Sequence, residues 1–232
     1  MNLKSRVRIL NAQPVRPDAR YVLYWSQMNR RVDGNHALLH AAELANSLNL
    51  PVLYYEGLTC SYPHANDRLH TFILEGVPDT ERRIGKLGIG YAFDLRRRLS
   101  DADDALYRLA ANAAAIVTDD YPTFIAARHN SSVPVQVGVA CHAVDSSCVV
   151  PMNLLEKREY AAYTFRPKIR RLLAEYLVPY EPLKVRKRFA GPIPPFHTQV
   201  DETRIADLVV QCEIDHSVAP SVSFRGGRRE AE

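Results

Sequence analysis

Along the first 140 residues, short apolar runs alternate with segments whose apolar residues recur at helical spacing. Five runs rich in β-branched, aromatic or small residues predict strands, and they cover 21–26, 51–58, 89–95, 114–120 and 134–140. The intervening segments predict amphipathic helices, which cover 34–49, 65–77, 101–113 and 121–130. Strands that alternate with helices predict an α/β fold, with a doubly wound, Rossmann-like, five-stranded parallel sheet flanked by helices.

Composition places the chain among ordinary globular proteins and excludes several other classes. It has 232 residues, of which 47% are hydrophobic and 24% are charged. Charged residues and prolines interrupt every apolar run, so we expect no membrane span, and the first twenty residues lack the apolar stretch of a signal peptide. The four cysteines are scattered without a CxxC pair, which predicts free thiols in a cytoplasmic protein.

The periodic segments divide the chain into parts. Residues 1–19 carry little pattern and predict a flexible N-terminal arm, and residues 20–150 hold the predicted sheet. Residues 151–211 predict a helix and a basic interdomain linker. The last residues, 212–232, end in a glycine pair followed by RREAE, which has the composition of a starting helix.

In a doubly wound sheet, ligands bind beyond the carboxyl ends of the strands. The residues that follow the predicted strands at those ends are therefore candidate ligand contacts, and they are Gln27, Met28, Asn29, Arg30, Glu56, Asp119, Asp120 and Tyr121. For the two aspartates, capping of the next helix is an alternative role. The loop after the first strand has no GxGxxG, which disfavours a dinucleotide held by a glycine-rich turn.

Positive charge is densest between residues 166 and 188, in a chain whose formal net charge is +4. Arg166, Lys168, Arg170 and Arg171 open this stretch and are candidate contacts to a nucleic-acid phosphate backbone. The alternative is a solvated helix face followed by a basic linker.

Motifs for metal, hydrolytic or P-loop chemistry are missing from the sequence. His36 and His40 are four residues apart on a predicted helix, but no third ligand is evident, so we expect a surface-facing pair and no metal site. Neither GxSxG nor a Walker-type GxxxxGK[ST] occurs.

Longer strings resemble a known family. YVLYWSQMNRRVDGNHALLHAAELA (21–45), DRLHTFILEG (67–76), VTDDYP (117–122), VDSSCVVP (144–151) and KREYAAYTFRPKI (157–169) resemble, in order and spacing, the N-terminal half of class II cyclobutane pyrimidine dimer photolyases. The segment 212–232 is similar to the family's interdomain segment and the first residues of its helical domain.

The resemblance implies light-driven repair of ultraviolet-damaged DNA, in which reduced FAD in the helical domain donates an electron to the dimer. It also implies that this chain supplies only the antenna-binding domain, that the catalytic residues lie beyond residue 232, and that the chain alone is inactive and binds FAD poorly. We expect a monomer, with a deazaflavin as the possible antenna. A free-standing flavodoxin-like module that binds a small ligand or a protein is the alternative, because this fold serves many functions.

For the antenna, the loop 26–31 supplies the groups that a flat heterocycle with an acidic tail requires. We expect Met28 and Tyr121 to cover the ring, and Gln27 and Asn29 to fix its polar edge. Arg30 or Arg31 would meet the negative charge of the tail. The alternative is a simple connecting loop with solvated arginines.

Overall fold

The computed structural model describes residues 3–155 and 157–231. Within these residues, six strands form one sheet in the order β1, β6, β5, β2, β3, β4. The strands are β1 (Val7–Ile9), β2 (Tyr21–Ser26), β3 (Val52–Thr59), β4 (Gly90–Arg96), β5 (Ala113–Asp119) and β6 (Ala140–Val144). The helices are α1 (His36–Leu48), α2 (Asp67–Lys86), α3 (Ala105–Ala110), α4 (Phe124–Ser132), α5 (Ala162–Tyr176) and α6 (Ile205–Val209).

The α/β class and the parallel pairing of the central strands are confirmed, but the predicted count of five strands is wrong. An additional strand, β1, pairs antiparallel with β6 at one edge of the sheet, with Val7 opposite Val144. It lies inside the segment that we expected to be a flexible arm. The strand is only three residues long and leaves Ile9 60% exposed, so it carries no alternating pattern that would reveal it.

The predicted last strand is also misplaced. Residues 134–140 were expected to be extended, whereas β6 covers Ala140–Val144 and the preceding residues form a turn, with the Gln136 N–H donating to the Val133 carbonyl. Val137 and Val139 are buried against the sheet although they lie outside a strand. Apolar residues in a buried connection give the same sequence signal as a short buried strand.

Helices cover both faces of the sheet. α1 and α2 pack on one face, where Leu38 and Leu74 join the larger buried cluster. α3 and the end of α4 pack on the other face through Leu106 and Val133. From β2 the chain moves outward to β3 and β4, and it then returns to add β5 and β6 on the other side of β2. The strand order therefore reverses between β2 and β5, which is where such folds bind ligands.

The segment after α5 also packs on the sheet domain. Residues 186–199, which we call the strap, run beside the edge strand β4: the Phe189 N–H donates to the Gly88 carbonyl at 2.8 Å, and the Thr198 N–H donates to the Phe93 carbonyl at 2.8 Å. Further on, Val200 joins the larger core cluster. The strap thus covers an edge that would otherwise present unpaired backbone groups. The division of the chain at residue 150 remains a prediction.

Within residues 3–155 and 157–231, no helix is both long and apolar enough to cross a membrane.

Candidate functional site

Asp119, the last residue of β5, organises the loop that follows β2. Its buried carboxylate accepts three backbone N–H groups on Oδ2, from Gln27 at 3.1 Å, Met28 at 2.8 Å and Asn29 at 2.9 Å. Oδ1 accepts the Tyr24 hydroxyl at 3.0 Å. Successive N–H groups that converge on one point form an anion-binding site. Because the protein's own carboxylate fills this one, a ligand's anionic group cannot use it.

The two aspartates that we considered as helix caps have other contacts. The N-cap residue of α4 is Thr123, so Asp119 does not cap that helix. Asp120 lies beside the added edge strand and forms an ion pair with Arg8 at 2.6 Å. Both carboxylates are therefore engaged within the protein.

The Gln27 side chain links the loop after β2 to α4, at the place where the strand order reverses between β2 and β5. Its Nε2 donates to Thr118 Oγ1 at 2.9 Å and to Asn130 Oδ1 at 3.1 Å, and its Oε1 lies 2.8 Å from His129 Nδ1. Burial lowers the pKa of His129, whose ring packs 5.3 Å from the Trp25 ring. Trp25 belongs to the buried cluster on this face of the sheet. All hydrogen-bonding atoms of the Gln27 amide group have partners, so the side chain fixes the loop.

Arg30 and Glu56 neutralise each other on β3. The prediction that Glu56 follows this strand is wrong, because β3 continues past it to Thr59. Arg30 Nη1 lies 3.2 Å from Glu56 Oε2, and Nη2 donates to the Gly57 carbonyl at 2.7 Å. The other carboxylate oxygen accepts the Tyr91 hydroxyl. Burial, together with the Glu56 charge, raises the pKa of Tyr91 well above its usual value, which keeps this hydroxyl a donor. The Arg30 charge is therefore balanced inside the protein.

Arg31 and Asn29 form a second internal pair. Arg31 Nη1 donates to Asn29 Oδ1 at 2.9 Å, and Nη2 donates to the Ser146 carbonyl at 2.6 Å. Asn29 is 6% exposed, and its Nδ2 has no partner among the described residues. Glu56 balances the charge of Arg30, whereas Arg31 is exposed and its hydrogen bonds, all to neutral oxygens, fix the position of its guanidinium without neutralising it.

Apolar residues are exposed on the loops after β2 and β5. These loops border the crevice beyond the carboxyl ends of the two strands. Met28 is 43% exposed, and Tyr121 is partly exposed. Phe124, at the first position of α4, is 76% exposed and has a φ of 56°, a left-handed conformation that is uncommon for a bulky residue. One turn later, Arg128 is exposed and has no hydrogen bond or ion pair to any described residue. This edge offers apolar surface and the unpaired Arg128 guanidinium to a flat, acidic ligand.

Sequence reasoning missed Phe124, Arg128, His129 and Asn130. The rule of carboxyl ends identified residues up to Tyr121, but these four lie in the first turns of the helix that follows β5. Extending the rule from the loop to the first two turns of the next helix would have included all four.

The four predicted DNA contacts lie on α5, a different element from the crevice residues. Arg166, Arg170 and Arg171 are exposed on this helix, whereas Lys168 forms an ion pair with Glu159. The structure does not bring these residues together with the loops after β2 and β5.

The histidines on α1 do not face each other. His40 Nε2 instead lies 3.0 Å from Nδ1 of His142 on β6. Both rings are partly buried, and burial, with a smaller contribution from His142, lowers the pKa of His40 to about 4. The expectation of a surface-facing pair is therefore wrong for this helix. Among the described residues, no group of three or more His, Cys, Asp or Glu side chains could hold a metal ion.

Comparisons with known proteins agree with the fold and point to one family. The family model described as DNA photolyase matches residues 22–187. A deoxyribodipyrimidine photo-lyase of Methanothermobacter thermautotrophicus is 34% identical over 98% of this chain and 48% of its own length. One of Arabidopsis thaliana is 33% identical over 79% of this chain and 38% of its own length. This chain therefore spans less than half of either relative.

A solved structure gives the same fold. An archaeal photolyase from Sulfolobus tokodaii, crystallised with two FAD molecules, superposes with a TM-score of 0.58 at 16% identity. The superposition covers 90% of this chain and 44% of that protein.

Proposed function

This chain belongs to the DNA photolyase family, and we propose that it is the N-terminal, antenna-binding part of a class II cyclobutane pyrimidine dimer photolyase. The match to the family over residues 22–187 carries the proposal. The class assignment is supported by the strings quoted above, of which EYAAYTFRPKI at 159–169 is the most specific. Ultraviolet-damaged DNA is the proposed substrate of the whole protein.

In this proposal, the chemical step does not belong to the residues described here. Reduced FAD, when bound to the helical part of such an enzyme, absorbs light and supplies the electron that opens the cyclobutane ring. The chain described here supplies a rigid sheet and an edge at which a second chromophore binds. We therefore expect the 232-residue chain alone to lack repair activity.

The proposed antenna is a deazaflavin that binds at the carboxyl edge of β2 and β5. When bound, a deazaflavin absorbs light and passes the excitation energy to the flavin. Met28 and Phe124, with the partly exposed Tyr121, provide apolar surface for its ring. Gln27 would act indirectly, because its amide holds the loop in place.

The acidic tail of such a ligand is best met by an exposed cation whose hydrogen-bonding groups have no partner among the described residues. Arg30 is paired with Glu56, and Arg31 is bonded to Asn29 and to the Ser146 carbonyl. Asp119 fills the backbone anion site. Arg128 remains exposed one turn from Phe124, so we assign the contact with the tail to this residue.

Titration of a deazaflavin against the purified chain, followed by the ligand's fluorescence, tests the proposal. Met28→Ala combined with Phe124→Ala should weaken binding roughly tenfold, because two apolar contacts are lost. Val135→Ala is the matched control, since Val135 is 82% exposed in the turn before β6. The control should bind as the wild type does.

Two results would contradict parts of the proposal. Unchanged binding in the double variant would exclude this crevice as the antenna site. Repair of a dimer-containing oligonucleotide by the 232-residue chain, supplied with reduced flavin and light, would show that the catalytic groups lie within this chain.

A further inference from the structure

The helix α5 has two dissimilar faces. Residues three or four positions apart share a face of a helix, and Ile169, Leu172 and Tyr176 form an apolar stripe that is partly or fully buried. The C-terminal end of this stripe is anchored: the Tyr176 hydroxyl donates to Ser5 Oγ at 3.0 Å, and the Arg6 guanidinium lies 5.7 Å from the centre of the Tyr176 ring. The opposite face is therefore held towards solvent.

That outward face combines aromatic rings with cations. Tyr163, Arg166 and Arg170 follow one another at spacings of three and four residues, which places them on one side of the helix. Tyr160 precedes the helix and is 79% exposed, and Tyr163 is 69% exposed. The two rings stand edge to face at 5.8 Å, with their hydroxyl groups 2.6 Å apart. Each tyrosine thus holds the other in place while leaving ring surface open to solvent.

The electrostatic balance of this surface is strongly positive. Arg158, Arg166, Arg170 and Arg171 are all exposed, and none has a hydrogen bond or ion pair to a residue that the structure describes. The nearby acidic residue Glu159 is already neutralised by Lys168. Fixed aromatic rings among unpaired arginines suit bases and phosphates together.

We propose that Tyr160, Tyr163, Arg166 and Arg170 form a docking surface for single-stranded or unstacked nucleic acid, with a base stacked on the tyrosine pair and phosphates contacting the arginines. A groove of about 540 Å³, lined in part by Lys157, Arg158 and Tyr160, continues the surface beyond the start of the helix. The inference extends the proposed function, in which damaged DNA is the substrate, but it does not depend on antenna binding.

A protein partner fits this surface less well. Tyrosine and arginine are common at protein interfaces too, but the core of such an interface is more apolar than its rim. On α5 the apolar stripe faces inward, while the cations face outward. Stacking on tyrosine, by contrast, tolerates any base and is worth about 1–3 kcal/mol for each base. Such a contact would suit a protein that must bind DNA regardless of sequence.

Binding of a fluorescein-labelled oligothymidylate to the full 232-residue chain, followed by anisotropy at several salt concentrations, tests the inference. Tyr160→Ala with Tyr163→Ala should weaken binding roughly tenfold at every salt concentration. Arg166→Gln with Arg170→Gln should instead lower the slope of log K against log salt by about 1.4, because two phosphate contacts to a single strand are lost.

Matched controls come from the far side of the sheet. Tyr62→Ala removes a tyrosine that is 41% exposed after β3. Lys86→Gln with Arg98→Gln removes two exposed charges next to the opposite edge strand, β4. Tyr62→Ala should bind as the wild type does. The charge control should bind nearly as tightly, with a small general loss from its lower net charge.

Three outcomes would overturn the inference. One is a tyrosine variant that binds as tightly as Tyr62→Ala, and another is an arginine variant whose salt slope equals that of the charge control. The third is a wild-type chain that does not bind the oligonucleotide but self-associates in sedimentation through the two tyrosines, which would make this surface a protein interface. Deazaflavin titration of the same variants separates these outcomes from failure of the antenna proposal.

Discussion

Replacing Asp119 with asparagine should destabilise the protein by about 3 kcal/mol. The carboxylate accepts four hydrogen bonds, three of them from successive backbone N–H groups of the β2 loop and one from Tyr24. An asparagine side chain offers one acceptor oxygen. Its NH2 group places two donors where the second carboxylate oxygen accepted hydrogen bonds. A hydrogen bond to a charged group contributes about 1.5–3 kcal/mol.

Water can hydrate some of the donors that lose the carboxylate, but not all of them. The N–H groups of Gln27 and Met28 are only partly buried, so water can replace part of what they lose. The Tyr24 hydroxyl and the Asn29 N–H are buried, and a buried donor without an acceptor costs about 1–3 kcal/mol. The amide oxygen can serve only one of these two donors, so the other is left without an acceptor. The remaining loss arises because the retained hydrogen bonds are made to a neutral oxygen and no longer to a charged one.

Urea denaturation followed by circular dichroism measures the change. The variant should have a lower midpoint with an unchanged m value, since the loss lies in the native state. Thermal unfolding should show a melting temperature lower by roughly 10 °C for a protein of this size.

Asp120→Asn is the matched control, because the residue is adjacent and identical in type. Among the described residues, the Asp120 carboxylate pairs with Arg8, whose side chain is 52% exposed, so this change should cost less than about 1 kcal/mol. Equal losses in the two variants, or an Asp119→Asn protein as stable as the wild type, would refute the assignment of Asp119 as the organiser of the loop.

Two further predictions concern the packing at the β4 edge and the partly buried carboxyl group of Asp94 within β4. Gly90→Ala should cost about 1–3 kcal/mol, because a Cβ there would lie 2.6 Å from the Phe189 ring of the strap. Gly85→Ala meets nothing within 4 Å in α2 and should stabilise by about 0.5–1 kcal/mol; if both behave alike in urea denaturation, the strap does not pack as described. Burial, and then the charge of Asp103, raise the pKa of Asp94 to about 6, so the ionised form is disfavoured in the folded state. Its penalty appears as pH rises from about 4 to 6, and Asp94→Asn should therefore gain roughly 1 kcal/mol over the wild type by pH 7 but little at pH 4; a difference that is independent of pH contradicts this.

The local pattern of the sequence was enough to determine the architecture. Runs such as 21–26 and 114–120 lie in central strands that are buried on both faces, so they are continuously apolar and easy to recognise. Ligands of such folds bind beyond the carboxyl ends of the strands. The same pattern therefore identified the loops after β2 and β5 as candidate ligand contacts. The motif-level resemblance pointed to photolyases, and the comparison over residues 22–187 confirmed the DNA photolyase family.

Short elements at the edge of the sheet were not determined by local pattern. β1 has three residues and is stabilised by pairing with β6, more than 130 residues later. The strap covers β4 through backbone hydrogen bonds from Phe189 and Thr198, to which side-chain periodicity gives no clue. Backbone pairing between distant segments leaves little trace in a hydrophobic pattern.

The roles of the charged site residues were decided by tertiary structure. The sequence placed Asp119, Arg30 and Arg31 at the carboxyl ends of the strands, but it could not show that Asp119 and Arg30 have charged or backbone partners inside the protein, or that neutral oxygens hold Arg31 in place. Asp119 reaches back about ninety residues to the β2 loop, and Arg31 reaches forward more than a hundred to the Ser146 carbonyl. A buried charge must be paired where it lies, and only the folded chain determines which groups lie within hydrogen-bonding distance of it.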